Sequence, residues 1–151
     1  MENIVFFETI AQPKGFWFLV PVFILLGISV LLVGIIFSMK NTSISIKDNE
    51  IIIKSFLYGR KIPIDEVLFD EIKTVNLNES KEYNVAVRTN GIYLPNFLSG
   101  WTRLKNGKKA LAYLTNREKV LFMPTQNFIV LFSMEKTDEF VSKLNEKRNN
   151  Q

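Results

Sequence analysis

The chain contains no histidine and no cysteine among its 151 residues. Their absence removes the commonest general base and metal ligand, any thiolate nucleophile and any disulfide framework. What remains for chemistry is charge. Carboxylates gather at Asp65, Glu66, Asp70, Glu71, Glu79 and Glu82. Two of them on one strand face can act as acid and base, or hold a cation. Their spacing matches no EF-hand loop, and acidic loops ordinarily keep a small domain soluble. No P-loop, G-x-G-x-x-G or G-x-S-x-G is present to cradle a phosphate or raise a nucleophile. The expectation is a protein without catalytic residues, metal or cofactor, and not an enzyme.

The basic residues are better placed. Trp101 is followed by Arg103, Lys105, Lys108 and Lys109 with no acid between them. Each cation close to an anionic leaflet contributes about 1 kcal/mol, and tryptophan favours the membrane interface. Two readings stand side by side. The stretch is a solvated hairpin loop with Trp101 packed on the domain, or these five residues meet anionic lipid headgroups or a protein partner. Nucleic acid is not an expected partner, because no aromatic series interleaves with the cations.

Those residues must be positioned by something, and the chain's dominant element is Gly15–Phe37, which has no ionisable side chain. A helix of that length spans roughly 34 Å at about 1.5 Å per residue, enough for a hydrocarbon core of about 30 Å. A signal peptide would have a basic leader, a shorter apolar run and a small-residue cleavage site. Here residues 1–14 carry Glu2 and Glu8 against Lys14, and Ser38-Met39-Lys40 follows the run. A retained transmembrane helix at 15–37 is expected, with a leader at 1–14 and a linker at 38–42. Ile4–Phe7 and Ile10 suit an interfacial segment or a loose tail equally. Gly27 and Gly34, and Gly34 with Ser38, offer a small-residue face for a homo-oligomer. Lys40, Lys47, Lys54, Arg60 and Lys61 against Lys14 alone place the C-terminal part in the cytoplasm.

Beyond the run the hydrophobic period drops to two. Ser43–Lys47 alternates, Asp48-Asn49 turns, and Glu50–Leu57 runs on as an isoleucine-rich strand. Tyr58-Gly59-Arg60 turns again before Lys61–Ile64, where Pro63 implies a sheet edge. Glu71–Leu77, Asn84–Arg88, Ala110–Thr115, Val120–Met123 and Phe128–Phe132 complete the strands, with turns at Asn90-Gly91, Thr115-Asn116-Arg117 and Pro124–Asn127. Such spacing indicates a small sandwich or barrel. The last element is an amphipathic helix that buries Phe140, Val141 and Leu144 and has Ser133 as its expected cap.

About seven short antiparallel strands closed by a helix resembles a pleckstrin-homology-like (PH-like) domain. Arg88-Thr89-Asn90-Gly91, Gly100-Trp101, Gly107-Lys108 and Ala112–Asn116 resemble one family of bacterial PH-like domains, as does Leu131-Phe132-Ser133 with Asp138, Phe140 and Leu144. Met134 and Thr137 stand where that family usually has proline. The resemblance implies a PH-like domain over residues 43–148 and a tail at 149–151. It also implies a binding or scaffold module without established catalysis, in a family whose members often carry one or two membrane helices ahead of the domain. With the single apolar run, the expectation is a cell-membrane protein crossing once. The alternative is a small-ligand sensor or accessory subunit of a membrane enzyme or transporter, with a groove lined by Tyr113, Phe122 and Phe128.

Overall fold

The computed structural model describes Gly15, Trp17, residues 19–40 and residues 42–149. The leader readings at Ile4–Ile10 and Lys14, and residues 150–151, lie outside the described residues. α1 spans Leu19–Lys40, so helix starts later and ends later than the uncharged run. Leu19–Phe37 within it is long and apolar enough to cross a membrane, and its side chains are exposed apart from the half-buried Gly34 and Ile35. Pro21 falls in the first turn, where its missing N–H breaks no helical bond. Ser29 donates its hydroxyl back to the Leu25 carbonyl at 2.8 Å, so the one polar side chain along this face is satisfied within the helix. The chain divides into two units after Gly34.

The remainder is a sandwich. A three-stranded antiparallel sheet consists of β1 (Ser43–Lys47), β2 (Glu50–Lys54) and β3 (Arg60–Pro63), in that order. Asp48 and Asn49 both have positive φ, 46° and 66°, as a two-residue hairpin turn with right-handed strand twist requires. Pro63 ends the edge strand β3, as its missing donor demands. Short 3-10 turns at Ile64–Glu66 and Phe69–Glu71 lead to the second sheet. That sheet contains β4 (Lys73–Val75), β5 (Val85–Leu94), β6 (Phe97–Leu104), β7 (Lys109–Leu114), β8 (Val120–Pro124) and β9 (Ile129–Ser133). Its order is β4-β8-β9-β7-β6-β5, and β7 and β9 run parallel. Among the described residues, nine strands with one parallel pair stand where about seven antiparallel ones were expected. The β8–β9 hairpin folds back beside β7, so β9 must run alongside it.

Both faces of the sheet are buried along its central strands, which is why β7, β8 and β9 read as near-continuous apolar runs rather than alternating ones. One face meets Ile51, Ile53 and Ile62 of the small sheet and Phe140 and Leu144 of the C-terminal helix, through Leu111, Tyr113, Leu121, Met123, Val130 and Phe132. The other face carries Leu98, Leu104, Ala110, Ala112, Phe122 and Leu131, and is covered by Leu77, Tyr83, Val85 and Tyr93. These covering residues come from the β4–β5 connection and from β5.

Three local expectations are corrected. Asn90-Gly91 lies inside β5, at a register shift, and the turn comes at Pro95-Asn96, where Asn96 has φ 59°. Gly91 and Gly100 face each other directly across β5 and β6. A Cβ on Gly100, whose φ is 145°, would lie 2.4 Å from the Asn90 carbonyl oxygen, so the glycines serve close strand approach rather than a turn. Ser133 belongs to β9 and caps no helix. Its hydroxyl accepts from the N–H groups of Thr115 and Asn116, both at 3.1 Å, and donates to the Asn116 carbonyl. The C-terminal helix, α2, begins at Thr137 and runs to Asn149, with Thr137 Oγ1 donating to the Met134 carbonyl at 3.2 Å. Third, Arg60 opens β3 instead of closing a turn, which falls on Phe56–Tyr58.

Candidate functional site

The five residues singled out in the basic stretch do not share one loop. Trp101 and Arg103 lie on β6 and Lys109 opens β7, while Lys105 and Lys108 belong to the hairpin between them. Arg103 pairs directly with Lys109 and Trp101 with Leu111, so alternation places all four on the face toward the small sheet. Leu111 is buried there, Trp101 is half-buried at the margin, and Arg103 and Lys109 are exposed.

Around Trp101 the structure builds an aromatic and cationic cluster. Its ring meets Phe128 edge-on, with centroids 5.1 Å apart and planes at 74°. Phe128 is held by a tight turn in which Thr125 Oγ1 donates to the Phe128 carbonyl at 2.8 Å. Lys109 Nζ stands 4.2 Å from the Trp101 ring centroid. The Arg60 guanidinium lies 5.6 Å from the same ring and 5.1 Å from Phe128. Two cations thus share one indole, whose π face offsets part of their repulsion. Arg103 Nη1 donates to the Gly107 carbonyl at 3.2 Å. Among the described residues no carboxylate forms an ion pair with Arg60, Arg103 or Lys109; the ion pairs lie elsewhere, at Lys47, Lys61, Lys136 and Lys143. The cluster is therefore cationic without internal neutralisation, which suits an anionic surface.

The hairpin itself is pinned on its other side. Lys105 N–H donates to the Asn84 carbonyl at 2.9 Å and Asn106 N–H to that of Glu82 at 3.1 Å. Lys108 then borders a cavity of about 410 Å³ with Asp70, Glu71 and Glu82, so acids distant in sequence lie beside it. Lys105 borders a different cleft with Arg88 and Arg117. Sequence reasoning missed Arg60. Its position over Trp101 depends on the packing of one sheet on the other, and no local signal announces that.

The groove of Tyr113, Phe122 and Phe128 that would favour the small-ligand alternative is not formed. Tyr113 and Phe128 are buried in the core between the sheets, and Phe122 is buried on the opposite face against Tyr83, with centroids 4.7 Å apart. Burial keeps the Tyr113 hydroxyl protonated far above the usual phenol range, and it donates to the Tyr58 carbonyl. Among the described residues no three carboxylates come together as a metal site requires.

A family model described as a bacterial PH domain matches residues 42–148. The chain belongs to the bacterial PH domain family. The match spans both sheets and nearly all of α2, the part of the chain that forms the sandwich. No curated protein and no solved structure matches the chain significantly. PH domains of many kinds share this architecture, so the fold assigns no ligand by itself. The Trp101 cluster is the feature of this PH domain from which a function can be argued.

Proposed function

We propose that the protein crosses the cell membrane once through α1 and holds its PH domain at the cytoplasmic surface as a binding module without catalytic activity. The carrying observation is that α1 exposes an uncharged apolar surface along Leu19–Phe37, a surface that lipid solvates and water does not. The Lys/Arg excess after the helix favours the cytoplasmic side for the domain. On that domain, Arg60, Arg103 and Lys109 around Trp101 meet anionic headgroups, with Lys105 and Lys108 flanking. At about 1 kcal/mol for each cation, the patch alone binds at roughly millimolar strength or weaker, and the tether raises its effective concentration.

One experiment in two arms tests this reading. The full-length protein in membranes is washed with carbonate and with high salt, and release by either excludes a spanning helix. A fragment of residues 42–151 is then titrated with anionic and neutral vesicles. Binding to anionic vesicles alone is expected, with loss on added salt as screening shortens to less than about 10 Å. Arg60→Glu, Arg103→Glu and Lys109→Glu together should abolish it with the thermal midpoint unchanged. Equal affinity for neutral vesicles would remove the headgroup role.

A further inference from the structure

The β2–β3 loop, residues 55–59, presents two apolar side chains that the fold leaves unused. Phe56 and Leu57 are 59% and 58% exposed, more than any other described large hydrophobic residue after α1. They are consecutive, which makes them a point rather than a scatter. The loop beneath them is fixed. Ser55 Oγ lies 3.3 Å from Ser99 Oγ, the Tyr58 hydroxyl donates to Asn90 Oδ1 at 2.8 Å, and the Tyr58 carbonyl accepts from the buried Tyr113 hydroxyl. Exposed Lys54 and Arg60 flank the tip, and Arg60 also belongs to the Trp101 cluster.

Strand register says where this tip stands. Ser43, the first residue of β1, pairs with Lys54, the last residue of β2. The chain therefore comes into the domain at the same end of the small sheet that carries residues 55–59. Only Asn41 and Thr42 separate Ser43 from the end of α1 at Lys40. Three Cα steps of about 3.8 Å limit that gap to roughly 11 Å.

We propose that Phe56 and Leu57 form a wedge that enters the headgroup and upper acyl region of the bilayer beside the tether. The proposal rests on the reading of α1 as a spanning helix. Lipid fits better than a second copy of the chain. A stable protein interface buries about 1,200–2,000 Å² in total, whereas a phenylalanine contributes about 150–250 Å² and leucine less. A bilayer needs no complementary surface, and its anionic headgroups suit Lys54 and Arg60.

The natural sequence has no cysteine, so single labels report cleanly. The full-length variants Leu57→Cys, Phe56→Cys, Asp48→Cys and Leu26→Cys are labelled with an environment-sensitive fluorophore. Each is reconstituted into phosphatidylcholine–phosphatidylglycerol vesicles containing lipids spin-labelled at shallow or deep positions. The labels at positions 57 and 56 should emit to the blue of the one at Asp48, which lies in the turn at the opposite end of the same sheet. They should also be quenched several-fold by shallow spin labels, with Asp48 unaffected and Leu26 quenched by deep ones. If Leu26 is quenched while positions 56 and 57 behave like Asp48, the wedge is wrong and the spanning helix stands. If Leu26 escapes quenching, the spanning helix falls and the wedge with it. A blue shift at position 57 that ignores lipid spin labels but grows with protein density would assign the tip to a second copy and overturn the proposal.

Discussion

The Thr102 hydroxyl is fully buried between Leu98 and Leu104 on the outer face of the large sheet, with no hydrogen-bond partner among the described residues. An unsatisfied buried hydroxyl costs about 1–3 kcal/mol. Thr102→Val should therefore raise the stability of a 42–151 fragment by about 1 kcal/mol, read from the urea midpoint at constant slope. Tyr113 makes the opposite case, with its phenol buried and bonded. Its folded pKa is raised, so folded protein keeps a proton that unfolded chain releases near pH 10. Stability is fully present below pH 10 and is lost as pH rises beyond it. Tyr113→Phe should flatten that alkaline decline in thermal midpoint, while costing about 1 kcal/mol at pH 7 for the lost bond to the Tyr58 carbonyl. An unchanged alkaline slope would show that other tyrosines set it. Little of this is visible in the sequence. Threonine in a β-rich run reads as ordinary strand, and Tyr113 reads as a groove residue until the neighbouring sheet is known to cover it.

At the scale of elements, legibility followed the range of the signal. The Asp48-Asn49 turn, the isoleucine alternation in β1 and β2 and the α2 face with Phe140 and Leu144 are local patterns, and all were readable. The β7–β9 pairing was not, because apolar runs buried on both faces carry no mark of direction. Nor was the place of Ser133. A serine ahead of an acidic stretch looks like a cap, but its hydroxyl instead holds the β7–β8 connection. α2 closes the core with one aromatic, so Phe140→Ala should cost about 3–5 kcal/mol in the same fragment. A midpoint within experimental error of the parent would mean that α2 is not part of the cooperative unit. The basic stretch shows both sides of this. Its residues were identified from the sequence, but its division into a strand face with Arg60 and a hairpin beside acids required the fold.

For the whole molecule the testable quantity is sidedness. Asn149, at the end of α2, is exposed, and a single Asn149→Cys in the full-length protein offers one thiol. The proposed orientation requires a membrane-impermeant thiol reagent to label it only after cells are broken; labelling of intact cells would reverse the orientation. One further consequence lies in the strand order. The middle of the large sheet is occupied by β9, the last strand to leave the ribosome, and without it β8 with β4 and β7 with β6 and β5 are two separate pieces. The sheet cannot close until β9 has emerged, whereas α1 emerges long before. On the proposed reading of α1 as a spanning helix, insertion would precede folding in time, and the nascent domain would complete its sheet when already confined to a surface. Truncation before Ile129 should leave a chain that still reaches the membrane but exposes the unpaired strands β7 and β8 to proteases and to other chains.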